Sequence, residues 1–131
     1  GDNVSIGGLT AVHQFTRIGH NAFVAGGAMV VGDVIPYAIA AGNRAKLRGL
    51  NLVGLKRGGM SRENIRTLRL AYKTIFDRAT PMSENVERAR VEFAPSPEAM
   101  KIVDFLSARG KRHYTVPPLK GTVDDDSDDE A

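Results

Sequence analysis

A six-residue period at the start of this chain narrows its possible folds more than any other feature. Aliphatic residues fall at Ile6, Val12, Ile18, Val24 and Val30, and four positions after each stands a small or β-branched residue: Thr10, Thr16, Ala22, Ala28 and Val34. Gly or Ala directly follows the aliphatic at Gly7, Gly19 and Ala25. Neither the 3.6-residue period of a helix nor the two-residue period of a strand produces this spacing. It suits a triangular parallel β-coil in which each hexapeptide forms one flat side and points its aliphatic into a narrow prism. The small residue near each corner lets the chain turn, and glycine is expected to relieve backbone strain there. The pattern is already running at Val4, yet the repeat spans fewer than two coils. Stacked repeats need at least three units to bury a continuous core. The chain is therefore expected to be the C-terminal part of a longer protein, with further coils before it.

The stretch Ala22–Gly42 carries one charge, Asp33, and superficially resembles a membrane span. Its four glycines, Pro36 and paucity of large aliphatics argue against that, so no membrane insertion is expected. Pro36 cannot donate to a central ladder, so the coil should be closing there. Gly42-Asn43 signals a turn leading into an edge strand. Composition then shifts, with 12 of the 14 glycines lying before residue 60. Ser61 is a good N-cap with Glu63 behind it, and Ile65, Leu68, Tyr72, Ile75 and Phe76 share one helical face, predicting a helix over 62–77. A second helix is predicted over 84–93. A third follows the cap Ser96-Pro97-Glu98 and is expected to stop at Gly110. The organisation expected is a left-handed parallel β-helix end and exit loop over 1–48, a small helical domain over 49–110, and a disordered acidic tail over 111–131.

Charge is unevenly spread. Residues 124–130 read DDDSDDE and hold six of the 15 acidic residues, although the chain as a whole carries +3. Between Arg44 and Lys73 there are nine Lys or Arg and a single acid, Glu63. That block should attract an anionic partner. It lacks interleaved aromatics and any recognised nucleic-acid module, so nucleic acid is not the expected partner. The chain has no cysteine, which excludes a disulfide scaffold and a Cys-ligated metal site. His13, His20 and His113 offer poor spacing for a zinc site, and no metal or cofactor is expected.

Asp33–Ala45 (DVIPYAIAAGNRA), Gly7–Phe15 (GGLTAVHQF), Gly49–Arg57 (GLNLVGLKR) and the helix SRENIRTLRLAYKTIF together resemble the C-terminal part of the UDP-N-acetylglucosamine O-acyltransferase family. The resemblance implies a cytoplasmic homotrimer with active clefts between neighbouring β-helices. It implies transfer of an R-3-hydroxyacyl group from acyl carrier protein to the sugar 3-hydroxyl of UDP-N-acetylglucosamine, the first step of lipid A biosynthesis. The family's general base is a histidine on an upstream coil. No residue here matches it, so no catalytic residue is assigned and this chain alone is expected to be inactive.

Carried over by position, His13 and Gln14 would line the acceptor or acyl pocket, while Asn51 and Arg57 would contact the nucleotide. Gly26 would act as the acyl-chain ruler, leaving the groove open for long chains. The match departs from the family at Gly58, where a second Arg is frequent, and at Val53, where an acid is expected. Arg44, Lys46 and Arg48 are a plausible dock for acyl carrier protein, which is strongly acidic. Two alternatives stay open: a non-catalytic trimerisation or binding module for an acidic partner, and a related hexapeptide acyltransferase with another acceptor.

Overall fold

The computed structural model describes residues 1–108 and 114–118. Short strands β1 (Ser5–Ile6), β2 (Ala11–Val12), β3 (Phe23–Val24) and β4 (Met29–Val30) lead into β5 (Ala38–Ala41) and β6 (Lys46–Leu50). Helices α1 (Leu52–Arg57), α2 (Arg62–Ile75), α3 (Met82–Glu92) and α4 (Pro97–Ser107) follow. β1 pairs in parallel with β3, and β2 with β4, each at an offset of 18 residues (Ile6↔Val24, Val12↔Val30). Three hexapeptides therefore complete one turn. A third side is marked by the parallel bridge Ile18↔Val34.

That bridge has an offset of 16 residues, as does Val24↔Ala40 between β3 and β5. The second coil is two residues shorter at the corner around Gly32. Val34 is consequently the inward aliphatic of its side, stacked on Ile18, and not the small corner residue that strict extrapolation of the period makes it. Val24, Val30 and Val34 are fully buried, with Ala22, Ala28, Ala38 and Ala40 beside them. In the first coil Ile6 is 51% exposed and Val12 39%, so the prism opens at that end.

The corners also differ from expectation. Left-handed backbone falls three residues after every inward aliphatic except Val30, where the corner is shortened: at Leu9 (φ 56°), Phe15 (φ 66°), Asn21 (φ 59°), Gly27 (φ 77°) and Tyr37 (φ 70°). Most of these are not glycine. Gly7 has no such φ; it is needed because a Cβ there would lie 2.6 Å from Gly26 Cα on the next coil. Glycine after the aliphatic thus serves close approach between coils, not release of strain.

Past Pro36 the ladder ends in an antiparallel hairpin, β5 against β6, with a register irregularity near Ala38–Ala40. Helix α1 arises from a glycine-dense stretch, Gly49–Gly59, whose composition predicts no helix. Asn51 caps it, accepting from Gly54 N at 3.1 Å. Ser61 and Ser96 cap α2 and α4 as expected, each at 3.1 Å. The second helix begins earlier than predicted, at Met82 behind Pro81, without a side-chain cap. Asn85 is buried in its first turn and donates to the carbonyls of Ile75 (3.0 Å) and Asp77 (2.8 Å), tying α3 to the end of α2. One apolar cluster runs from Val24 and Val34 through Leu47 and Leu55 to Leu68, Ala89 and Ile102. Coil and helices share a core.

Tyr114–Pro118 lie within the segment expected to be disordered, yet they pack on the coil. Tyr114 bridges Asp33, Thr115 Oγ1 donates to Gly32 O at 2.8 Å, and Leu47 N donates to Val116 O at 3.0 Å. Thr115 is buried against the shortened corner. The remaining residues of that expectation, with the Gly110 stop and His113, lie outside the described residues.

Candidate functional site

The three edges of the prism carry different candidate residues. On the edge formed by Gly8–Leu9 and, one coil on, Gly26–Gly27, Gly26 is exposed. A Cβ at Gly26 would sit 3.2 Å from Gly8 O, so a side chain there would project from the edge after a small shift of its neighbour. His13 and Gln14 are exposed on the second edge, just after β2. His13 N donates to Val30 O at 2.8 Å, which fixes the backbone. Its Nδ1 lies 3.2 Å from Gln14 O, a hydrogen bond when that nitrogen carries the proton.

Asn51 belongs to the third edge. Its N–H donates to Tyr37 O at 2.7 Å and its Nδ2 to Asn21 O at 3.5 Å, while its Oδ1 caps α1. The carboxamide expected to meet a nucleotide is thus largely engaged in fixing α1 to the coil. Arg57 is exposed at the far end of that helix. A single copy of the chain does not bring His13, Gly26 and Arg57 to one place, because they stand on separate edges.

Arg44 is exposed at the turn after the bridge Met29↔Asn43. Lys46 and Arg48 are half-buried and alternate with buried Leu47 and Gly49 on β6. The basic block continues into a cleft whose walls come from three separate elements. This cleft of about 830 Å³ opens between β6, α1 and α2, with an apolar floor of Leu50, Leu52 and Ile65. Lys56, Arg62, Arg66, Arg69 and Lys73 rim it, and no acidic residue among the described residues does. The signal was present as spacing: Arg62, Arg66, Arg69 and Lys73 recur at helical intervals, so α2 puts them on one face. Tyr72, also in the cleft, has its phenol pushed up to about 12 by burial, opposed by a hydrogen bond with the Gly49 backbone.

Among the described residues there is no group of three or more His, Asp or Glu side chains able to hold a metal. No helix among them is long and apolar enough to cross a membrane.

The stacked triangular coils, closed by a hairpin and capped by packed helices, define a hexapeptide-repeat protein with an appended helical unit. The chain belongs to the UDP-N-acetylglucosamine O-acyltransferase family: residues 33–114 match the family model described as "Udp N-acetylglucosamine O-acyltransferase; Domain 2". It is 67% identical over 100 residues to an acyl-(acyl-carrier-protein)–UDP-N-acetylglucosamine O-acyltransferase of Mesorhizobium japonicum, covering 76% of this chain and 36% of that protein. It is 45% identical over 114 residues to the protein of the same name from Bartonella henselae, covering 87% of this chain and 42% of the relative. The chain therefore spans well under half the length of these relatives. Its fold superposes on the Arabidopsis UDP-N-acetylglucosamine acyltransferase with a TM-score of 0.80 at 35% identity, covering 87% of this chain and 42% of that one. On the Campylobacter jejuni UDP-N-acetylglucosamine acyltransferase the TM-score is 0.78 at 32% identity, covering 91% and 45%. The coil is a left-handed β-helix, as in these neighbours.

Proposed function

We propose that this chain is the C-terminal, substrate-positioning part of a cytoplasmic enzyme that moves an R-3-hydroxyacyl group from acyl carrier protein to the 3-hydroxyl of UDP-N-acetylglucosamine. The observation that carries the reading is the joint match of coil and helical unit to acyltransferases of that name, at 35% identity and a TM-score of 0.80 in the Arabidopsis case. The dispersal of candidate residues over separate edges supports a homotrimer. In such an assembly an edge of one copy faces a different edge of its neighbour, so each cleft draws His13 and Gln14 from one copy and other groups from the next.

In this reading His13 and Gln14 line the acceptor pocket with an imidazole and an amide able to bond hydroxyl or carbonyl groups. Asn51 anchors α1 and so sets Arg57, whose planar guanidinium suits a diphosphate. Gly26 leaves the outer groove open to a long acyl chain. Arg44, Lys46 and Arg48 draw in the acidic carrier, mainly through its association rate. No general base is assigned among these residues.

The test uses the intact parent enzyme bearing this segment. Arg57→Ala should raise KM for the nucleotide sugar more than it lowers kcat, and Gly26→Met should shift preference toward shorter acyl donors. Each methylene that no longer fits forfeits about 0.8 kcal/mol, or a few-fold in rate per carbon. Failure of the parent to acylate UDP-N-acetylglucosamine from acyl carrier protein would sink the reading.

A further inference from the structure

We propose that the chain's own acidic segment, residues 124–130, docks in the basic cleft along α2 and competes there with any acidic partner. Two observations carry this independently of the acyl-transfer reading. The first is charge: Lys56, Arg62, Arg66, Arg69 and Lys73 rim a cleft that no acidic residue among the described residues lines, and the segment DDDSDDE supplies six carboxylates in seven positions. The second is where the described chain ends. Val116 O accepts from Leu47 N on β6, and Arg78 Nη2 donates to Pro117 O (2.8 Å) and Pro118 O (3.3 Å). Pro118 is thus held just past the C-terminal end of α2, where Val116 and Pro117 line a separate smaller pocket, and Lys73 in the last turn of that helix rims the cleft.

The lengths agree. Residues 119–123 give a tether of up to about 17 Å, at roughly 3.3 Å per residue. Lys73 and Arg62 lie about 16 Å apart along the helix, at about 1.5 Å per residue. Seven extended residues span about 23 Å, enough to pass every basic side chain on the rim. A ligand on so short a tether acts at an effective concentration on the order of millimolar. A free acidic protein must displace it, and the tail acts as a threshold against weak or non-specific anionic partners.

The experiment uses the whole chain. It has no cysteine, so Ala131→Cys gives a unique site for a nitroxide spin label. The expected result is selective broadening of the amide signals of Arg62–Lys73, reversed near 1 M salt, where the screening length falls to about 3 Å. Substituting Lys56→Gln, Arg62→Gln, Arg66→Gln and Lys73→Gln together should abolish the broadening. In parallel, neutralising the six tail carboxylates should tighten binding of a fluorescent deca-glutamate probe several-fold, an effect the four-residue variant should lose. Unbroadened α2 signals at low salt would overturn the proposal. Broadening of isotope-labelled chains by nitroxide on unlabelled chains would overturn it too, by assigning the cleft to a second copy's tail. So would equal probe affinity with and without the tail charges.

Discussion

At the residue scale, position within the hexapeptide decides what a substitution costs. Gly7 and Gly8 are neighbours in sequence, yet a Cβ on Gly7 would lie 2.6 Å from Gly26 Cα, and one on Gly8 would meet nothing within 4 Å. Gly7→Ala should therefore cost more than about 2 kcal/mol, because two backbones must separate, while Gly8→Ala stays within about 0.5 kcal/mol. Urea unfolding midpoints of the two variants check this, and equal midpoints would refute the close-approach account. Leu9 makes the opposite case. It is 97% exposed and held at φ 56°, a conformation that asparagine occupies at the equivalent corners Asn3 and Asn21. Leu9→Asn should raise stability by about 0.5–1 kcal/mol, since nothing packed is lost and left-handed strain is relieved.

At the element scale, the coil and the last helix are joined through Asp33. Its carboxylate accepts from Arg17 N and from Arg17 Nε, both at 2.8 Å, while Arg17 Nη2 donates to Phe105 O at 3.1 Å. The guanidinium carbon lies 4.0 Å from the centre of the Phe105 ring, and Tyr114 OH donates to Leu106 O at 2.9 Å. Arg17, Asp33, Phe105 and Tyr114 thus form one polar clasp between first coil, second coil, α4 and the following segment. Asp33 is 2% exposed. Asp33→Ala leaves the Arg17 backbone N–H and Nε without their acceptor, while Nη2 keeps Phe105 O, and should cost about 2–4 kcal/mol. Hydrogen exchange of α4 amides should quicken more than that of α2 amides. Uniform quickening would mean that the clasp does not act locally.

At the scale of the whole molecule, two tyrosines sit where coil meets helices. Burial pushes Tyr37 up to about 12, with the Glu98 charge on α4 adding to the shift, and burial does the same to Tyr72 beside Gly49. Both phenols titrate higher when folded than the ordinary value of about 10, so the folded state holds protons that the unfolded chain has lost. Their contribution is intact below pH 10 and lost as pH rises toward about 12. The urea midpoint should fall over that interval, and Tyr72→Phe should flatten the fall. An unchanged slope in that variant would show that the phenol at the seam is not responsible. Because one apolar cluster spans both parts, a single transition is expected by tryptophan-free probes such as far-UV circular dichroism and tyrosine absorbance.

The period of six determined the coil, the inward positions Val12 to Val30, and the existence of a prism, because spacing along one chain is enough to define which side chains point the same way. Ser61, Ser96-Pro97 and the apolar stripe of α2 likewise fixed their helices locally. The shortened corner at Gly32, the inward role of Val34 and the return of Tyr114–Val116 were not legible, because each depends on residues far apart along the chain: Thr115 meets Gly32 across 83 positions. Helix α1 is masked by its one glycine, since Gly54 opposes a helix by propensity while its N–H is what Asn51 caps. The candidate residues could be named from sequence, but not their dispersal over separate edges, nor the cleft that α2's basic face makes with β6. Those follow from how the second coil closes and where the helices pack on it, which only the tertiary structure decides.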